Sequence, residues 1–339
     1  MNARTAPAQL DGSGVLMTLA ETRDAIQSGR YLSIAAEESL LRQLPSGNWM
    51  AGSIPYFMGQ MGGIASRELL FVSALPVMDV APVMRWYDEN RLDQVAVDAP
   101  SNGLSVLIVP AFSEVHSRFA REAPSYEDMY MKPLVGWIAG VHLDDLGSAK
   151  PVIVNGQTLE FSTSKALAMH VPLPESVYPR IEILNLFEQG EGDVIRFPST
   201  GFSARECTVN GQLTTLAQYL TDRKIDTRLP LVADYSGAMI NVSFKAVDAG
   251  AGVVDFYAPV FDDIDYRIAR PVPDYAHAFV DALPEDAHGA GWSCNCILNF
   301  LYGELEGKKT GPVTGPMTFG EIAYQLLNQT MVYVTLETV

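Results

Sequence analysis

Cys294 and Cys296 are one residue apart and form the only Cys-x-Cys pair in the chain. In an extended segment, positions i and i+2 project to one face, whereas in a helix they diverge by about 200°. Two thiolates on one face make half a zinc site. No second Cys-x-x-Cys or His-x-x-x-His spacing supplies the rest, which would have to come from Cys207, His288 or carboxylates. A nucleophilic cysteine needs a base and a lowered pKa, for which a helix N-terminus is one source. Cys294 and Cys296 precede a helical pattern from Ile297 to Leu305, with His288 close in sequence. Small buried residues at a strand-to-helix junction are the preferred reading, and no residue is assigned a catalytic or metal-binding role.

Among the acids, Asp262, Asp263, Asp265, Glu304 and Glu306 read as solvated loop charge, since no EF-hand spacing organises them. Glu321 differs. It lies between Gly320 and the apolar Ile322, where a lone carboxylate must be held by backbone donors or a ligand. The glycines at 59, 62 and 63 lack the Lys-Ser/Thr of a phosphate-binding loop and read as a hairpin turn into 68–72. No Gly-x-Ser-x-Gly elbow, His-Glu-x-x-His pair or dinucleotide fingerprint occurs, which weakens an enzyme reading.

The elements that must position these residues follow from periodicity. Residues 31–36 read as a buried strand, 37–44 as a helix and 49–57 as a returning strand brought beside the first by the crossover. The continuous apolar run 104–109 reads as a central strand, followed by a helix over 113–120 that places His116 on a solvated face. Further strands are expected over 134–142, 151–154 and 166–171, with Asn155-Gly156 as a type I′ turn and His142 and His170 satisfied at strand ends. Helices are expected over 213–223 and 273–283, and strands over 229–236, 239–247, 252–260 and 331–336. Residues 1–14 read as a loose arm.

With 339 residues, 48% of them hydrophobic and 19% charged, the chain has enough apolar residues for two cores. The net charge of −17 repels a phosphate backbone, so nucleic acid is not an expected partner. Three cysteines suit a reducing compartment, and neither a signal peptide nor a membrane span is read, so a cytoplasmic location and no membrane insertion are expected.

The run Gly320-Glu321-Ile322, then Leu327 through Thr330 and a closing apolar strand, resembles the end of the C-terminal half of FIST sensory domains, with Cys294 where that family places a cysteine before a helix. Arg205 to Gly211 followed by a short helix, and Tyr257 to Phe261 followed by Tyr266 to Ala269, are similar to the same half. The stretch 51–56 after a Leu-Pro turn resembles the opening of the N-terminal half. The resemblance covers most of the chain and is strongest over 205–336.

It implies an α+β (mixed α/β) fold of two β-rich lobes, each a mixed sheet flanked by helices: a FIST N-like lobe over 1–198 and a FIST C-like lobe over 199–339. It further implies a bacterial signal-transduction protein that binds a small molecule such as an amino acid between its lobes. No output module is read here, so a separate signalling protein would receive the signal. Tyr235, Asn241, Cys294, Asn295, Glu321 and Tyr324 are the candidate ligand-binding residues. One branch of the family senses nitric oxide through haem, which would need an axial ligand from His116, His142, His170, His277 or His288. A Cys- or Glu-dependent enzyme and an oligomeric scaffold are the remaining alternatives, and apolar edge strands are compatible with a homodimer.

Overall fold

Runs of consecutive apolar residues become strands buried on both faces. In the computed structural model, which describes residues 13–235 and 237–338, Gly103–Pro110 and Leu134–Ala139 contain no exposed residue. They pair in parallel, Ser105 opposite Leu134 through Pro110 opposite Ala139. Gly136 allows that approach, because a Cβ there would fall on the Leu107 carbonyl. The early strand-helix-strand unit also forms, with Leu32–Ala36 parallel to Trp49–Ser53 and Glu38–Leu41 as the crossover helix.

The described residues form five sheets. One runs in the order Val15–Met17, Leu70–Ala74, Leu32–Ala36, Trp49–Ser53, Ile153–Asn155, Glu160–Ser162. A second is Gln325–Leu327, Glu321–Ala323, Leu134–Ala139, Gly103–Pro110, Ala166–Pro172, Val83–Tyr87. The third is Val177–Asn185, Thr330–Thr338, Trp292–Cys296, Gly315–Thr318, Tyr56–Gly59, Gly62–Ala65. Phe57, Ile108, Trp137, Met169, Cys294 and Val332, drawn from the second and third sheets, share one buried core with Met50 and Phe71 of the first.

Two further sheets, of six and three strands, lie within residues 195–268 and enclose a separate core, in which Phe197 packs edge-on against Phe256 and Tyr266 at 5.8 and 5.5 Å. This inserted unit leaves the main body after Val177–Asn185, and the chain rejoins it through the helix Tyr275–Ala282.

The expected pair of lobes, each a mixed sheet flanked by helices, is not what forms. Strands account for 41% of the chain and helices for 17%; the first three sheets, mixed or antiparallel, pack on one another around a shared core, and short helices pack on other faces of the first and second. No described α-helix exceeds nine residues, too short to roof a six-stranded sheet. The second and third sheets each take strands from both sides of residue 198, as when Phe57 pairs with Pro316.

Local expectations also shift. Gly59 and Gly62 do close a hairpin, but its second strand is Gly62–Ala65. Asn155 and Glu160 pair across a four-residue loop with Leu159 at φ 55°, so Asn155-Gly156 is not a two-residue turn. The sequence pattern from 213 yields the strand Gln212–Thr215 before the helix Leu216–Asp222. Residues 1–12 of the expected arm and Ser236 of an expected strand lie outside the described residues.

Candidate functional site

The strand Trp292–Cys296 puts both thiols on one side, as alternation requires, and runs straight into the helix Ile297–Tyr302 with Cys296 as its N-cap. Cys294 Sγ donates to the Gly136 carbonyl at 3.3 Å. The backbone N–H groups of Leu298 and Gln329 and the Glu321 carboxyl lie close to Cys296 Sγ. Both thiols are fully buried, and burial, reinforced by Glu321, pushes their pKa values well up. A six-residue helix has a weak dipole, and no cation contributes at Cys296. These thiols therefore stay protonated, which is the opposite of an activated nucleophile.

Glu321 is held in the same place. Its Oε2 accepts from Thr330 N at 3.2 Å and Thr330 Oγ1 at 2.8 Å, and its Oε1 lies 3.4 Å from Thr318 Oγ1. Burial outweighs these bonds and raises its pKa to about 8, so the neutral acid is the majority form at pH 7. One backbone donor, Thr330 N, is thus present as expected for this carboxyl, and two hydroxyls complete the set.

Hydrogen bonds lead outward from this cluster. Asn295 Oδ1 accepts from Cys296 N at 2.7 Å and Asn299 Nδ2 at 2.9 Å. Asn299 Nδ2 also reaches Thr330 O at 3.3 Å, and Asn299 Oδ1 accepts the Tyr275 hydroxyl. Asn295 Nδ2 is a buried donor with no partner. Gln329, at φ 50°, is the second exit. Its Oε1 accepts from Ser243 Oγ at 2.7 Å, and its Nε2 donates to Arg228 O at 3.1 Å, tying the main body to the inserted unit. Beside it, Asn185 and Asn241 form a reciprocal amide pair at 2.9 and 3.1 Å, and Asn241 Nδ2 reaches Asn328 O at 3.1 Å.

Tyr275 and Gln329 are also walls of a cleft of about 590 Å³ at the junction of main body and insert. Phe187, Val272 and Tyr302 give it apolar surface, Arg228 and Lys308 positive charge, and Asp226, Asp274 and Glu304 negative charge. Arg228 is forked onto Asp226 at 2.7 to 3.1 Å, whereas Lys308 is 4.0 Å from Glu304.

Of the six residues proposed from sequence, Cys294, Asn295 and Glu321 are neighbours in the buried cluster, and Asn241 joins it through Asn328 and the insert. Tyr235 and Tyr324 lie elsewhere, both near Tyr130. The Tyr324 and Tyr130 rings are 5.8 Å apart, and Tyr130 raises the Tyr235 pKa after burial does. None of the six lines the cleft. Sequence reasoning missed Tyr275, Asn299, Arg228 and Lys308. Asn299 had a signal in its i+4 spacing from Asn295; the other three carry none.

Of the five histidines offered as axial ligands, His170 and His116 are committed within the fold. His170 has both ring nitrogens engaged, by Tyr87 OH and Ser105 Oγ at 2.8 Å. His116, expected on a solvated face, is 8% exposed, because its helix turns that face inward with Val115, Phe119 and Ala120. Its Nδ1 accepts the Phe112 N–H at 3.4 Å, which assigns the proton to Nε2 and leaves no lone pair there for iron. His142 Nδ1 accepts the Asp144 N–H at 3.2 Å, and His277 lies 3.4 Å from Asp281 on an exposed helix. No histidine, His288 included, lines the cleft.

The sequence matches the family of unknown function DUF6976 over residues 17–337. The chain belongs to that family. No curated protein matches it. Nearly all the described structure, cluster and cleft included, falls within the family's span. Among the described residues, no helix is long and apolar enough to cross a membrane.

Proposed function

We propose that this DUF6976 protein is a small-molecule-binding sensory protein of the FIST type, which takes a zwitterionic ligand such as an amino acid in the cleft between main body and insert. The observation that carries this reading is the cleft's composition: charges of both signs and aromatic faces at a junction, with one wall residue, Tyr275, bonded to the buried polar cluster and another, Gln329, bonded to the insert. A ligand carboxylate would meet Lys308 and Arg228, its ammonium Glu304, and its side chain Phe187, Val272 and Tyr302. Gln329 holds the insert through Ser243 and touches the cluster through its backbone. A ligand pressing on it would bias the insert's docking, and that displacement is what a separate signalling partner would read.

The test is thermal unfolding with each of the common amino acids in turn. A true ligand at a hundred times its Kd adds about 2.7 kcal/mol and raises the Tm. Tyr302→Ala should abolish that rise. A panel in which no member raises the Tm, or a rise that Tyr302→Ala leaves intact, rules out this cleft.

A further inference from the structure

The helix Ile297–Tyr302 borders a second cavity, of about 800 Å³, which meets Ile297, Leu298 and Leu301. A smaller cavity of about 320 Å³ adjoins it, and the two share Phe112, Lys245, Tyr257 and Phe319. They form one groove between main body and insert. At its mouth Phe112 is 54% exposed and held at φ 63°, a backbone state costly for a bulky side chain. Its ring packs edge-on against Phe319 at 6.0 Å, and Lys245 Nζ stands 5.2 Å from its centroid.

Three observations give the groove a preference for negative charge. Among the described residues, neither Lys245 nor Lys150, which also lines it, has a carboxylate within ion-pair distance. The first turn of the nine-residue helix Glu114–Glu122 opens into the groove, with Ser113 as its cap. His116 lines the smaller cavity beside Phe202, ring centroids 6.2 Å apart, and its Nε2–H is a buried donor with no partner. Two acids also line the groove, Glu114, 3.5 Å from Arg121, and the exposed Asp255, which disfavours a ligand with more than one negative charge.

We propose that this groove binds an aromatic monocarboxylate, with its carboxylate between the Lys245 ammonium and the first turn of the helix Glu114–Glu122 and its ring against Phe112, Phe319 and Tyr257. The site is separate from the cleft and stands whether or not the cleft binds an amino acid.

Isothermal titration with 1-naphthoate and with its neutral counterpart, 1-naphthalenemethanol, tests it. Naphthoate binds, and the alcohol binds at least about fivefold more weakly, the ratio expected from losing roughly 1 kcal/mol of charge interaction. Lys245→Met weakens naphthoate by a similar factor, and Tyr302→Ala in the cleft leaves it unchanged. Phe112→Gly separates function from fold: it relieves the positive φ and raises the Tm while weakening naphthoate. Absence of naphthoate binding at millimolar concentration, equal binding of acid and alcohol, or an unchanged Kd in Lys245→Met overturns the proposal.

Discussion

Replacing Glu321 by Gln removes a titrating group without removing its shape. In the folded protein the carboxyl pKa is about 8 against an ordinary value of 4.5. Between those values the folded state keeps a proton that the unfolded state has lost. Stability from this group is therefore complete below pH 4.5 and falls as pH rises toward 8, by about 1.4 kcal/mol per pH unit.

The amide that Glu321→Gln introduces copies the neutral acid. Its oxygen accepts from Thr330 N and Oγ1, and its NH2 faces Thr318 and Cys296. Urea denaturation of wild type and Glu321→Gln in parallel at pH 5.5 and 7.5 isolates the group, because every other titration cancels in the difference. The variant should gain roughly 2–3 kcal/mol on the wild type between those pH values. A difference that does not change with pH would refute the buried neutral acid. So would a variant that fails to fold at pH 5.5 while Glu321→Asp survives.

His116 and His170 set the opposite limb. Burial lowers both to about 4, so their contribution is lost as pH falls from 6.5 toward 4, and the wild-type stability maximum should lie near pH 6.5 in a urea series. All three cysteines are free and buried, so a thiol reagent should label none in the native protein and three after denaturation; fast labelling of Cys294 or Cys296 would contradict the packing around them. Tyr275→Phe leaves Asn299 Oδ1 without its donor and should cost about 1–3 kcal/mol, measured by urea unfolding. Gln329→Ala should speed hydrogen exchange across 195–268 ahead of the main body, since it cuts the Ser243 tie.

The sequence was readable where structure is local. Alternation put Cys294 and Cys296 on one face of a strand, and the lone acid between Gly320 and Ile322 is buried on backbone and hydroxyl donors. The parallel crossover at 32–53 followed from period and length. What failed is what depends on distant partners. The run at 104–109 reads the same whether helices or another sheet cover it, so the layering was hidden. His116 is buried because its helix turns it inward with Val115 and Phe119 and because Phe202, from the inserted unit, packs on it. The cleft joins Arg228, Tyr275, Tyr302 and Lys308 from four separate segments, and no spacing within any of them announces the others.

The most direct test of the central claim is native mass spectrometry of the freshly purified protein, with an absorption spectrum from the same sample. The account predicts a bound organic mass, or one acquired from an added amino acid, that disappears in Tyr302→Ala, with no Soret band. A Soret band in the wild type, or a bound mass that persists in Tyr302→Ala, would contradict it.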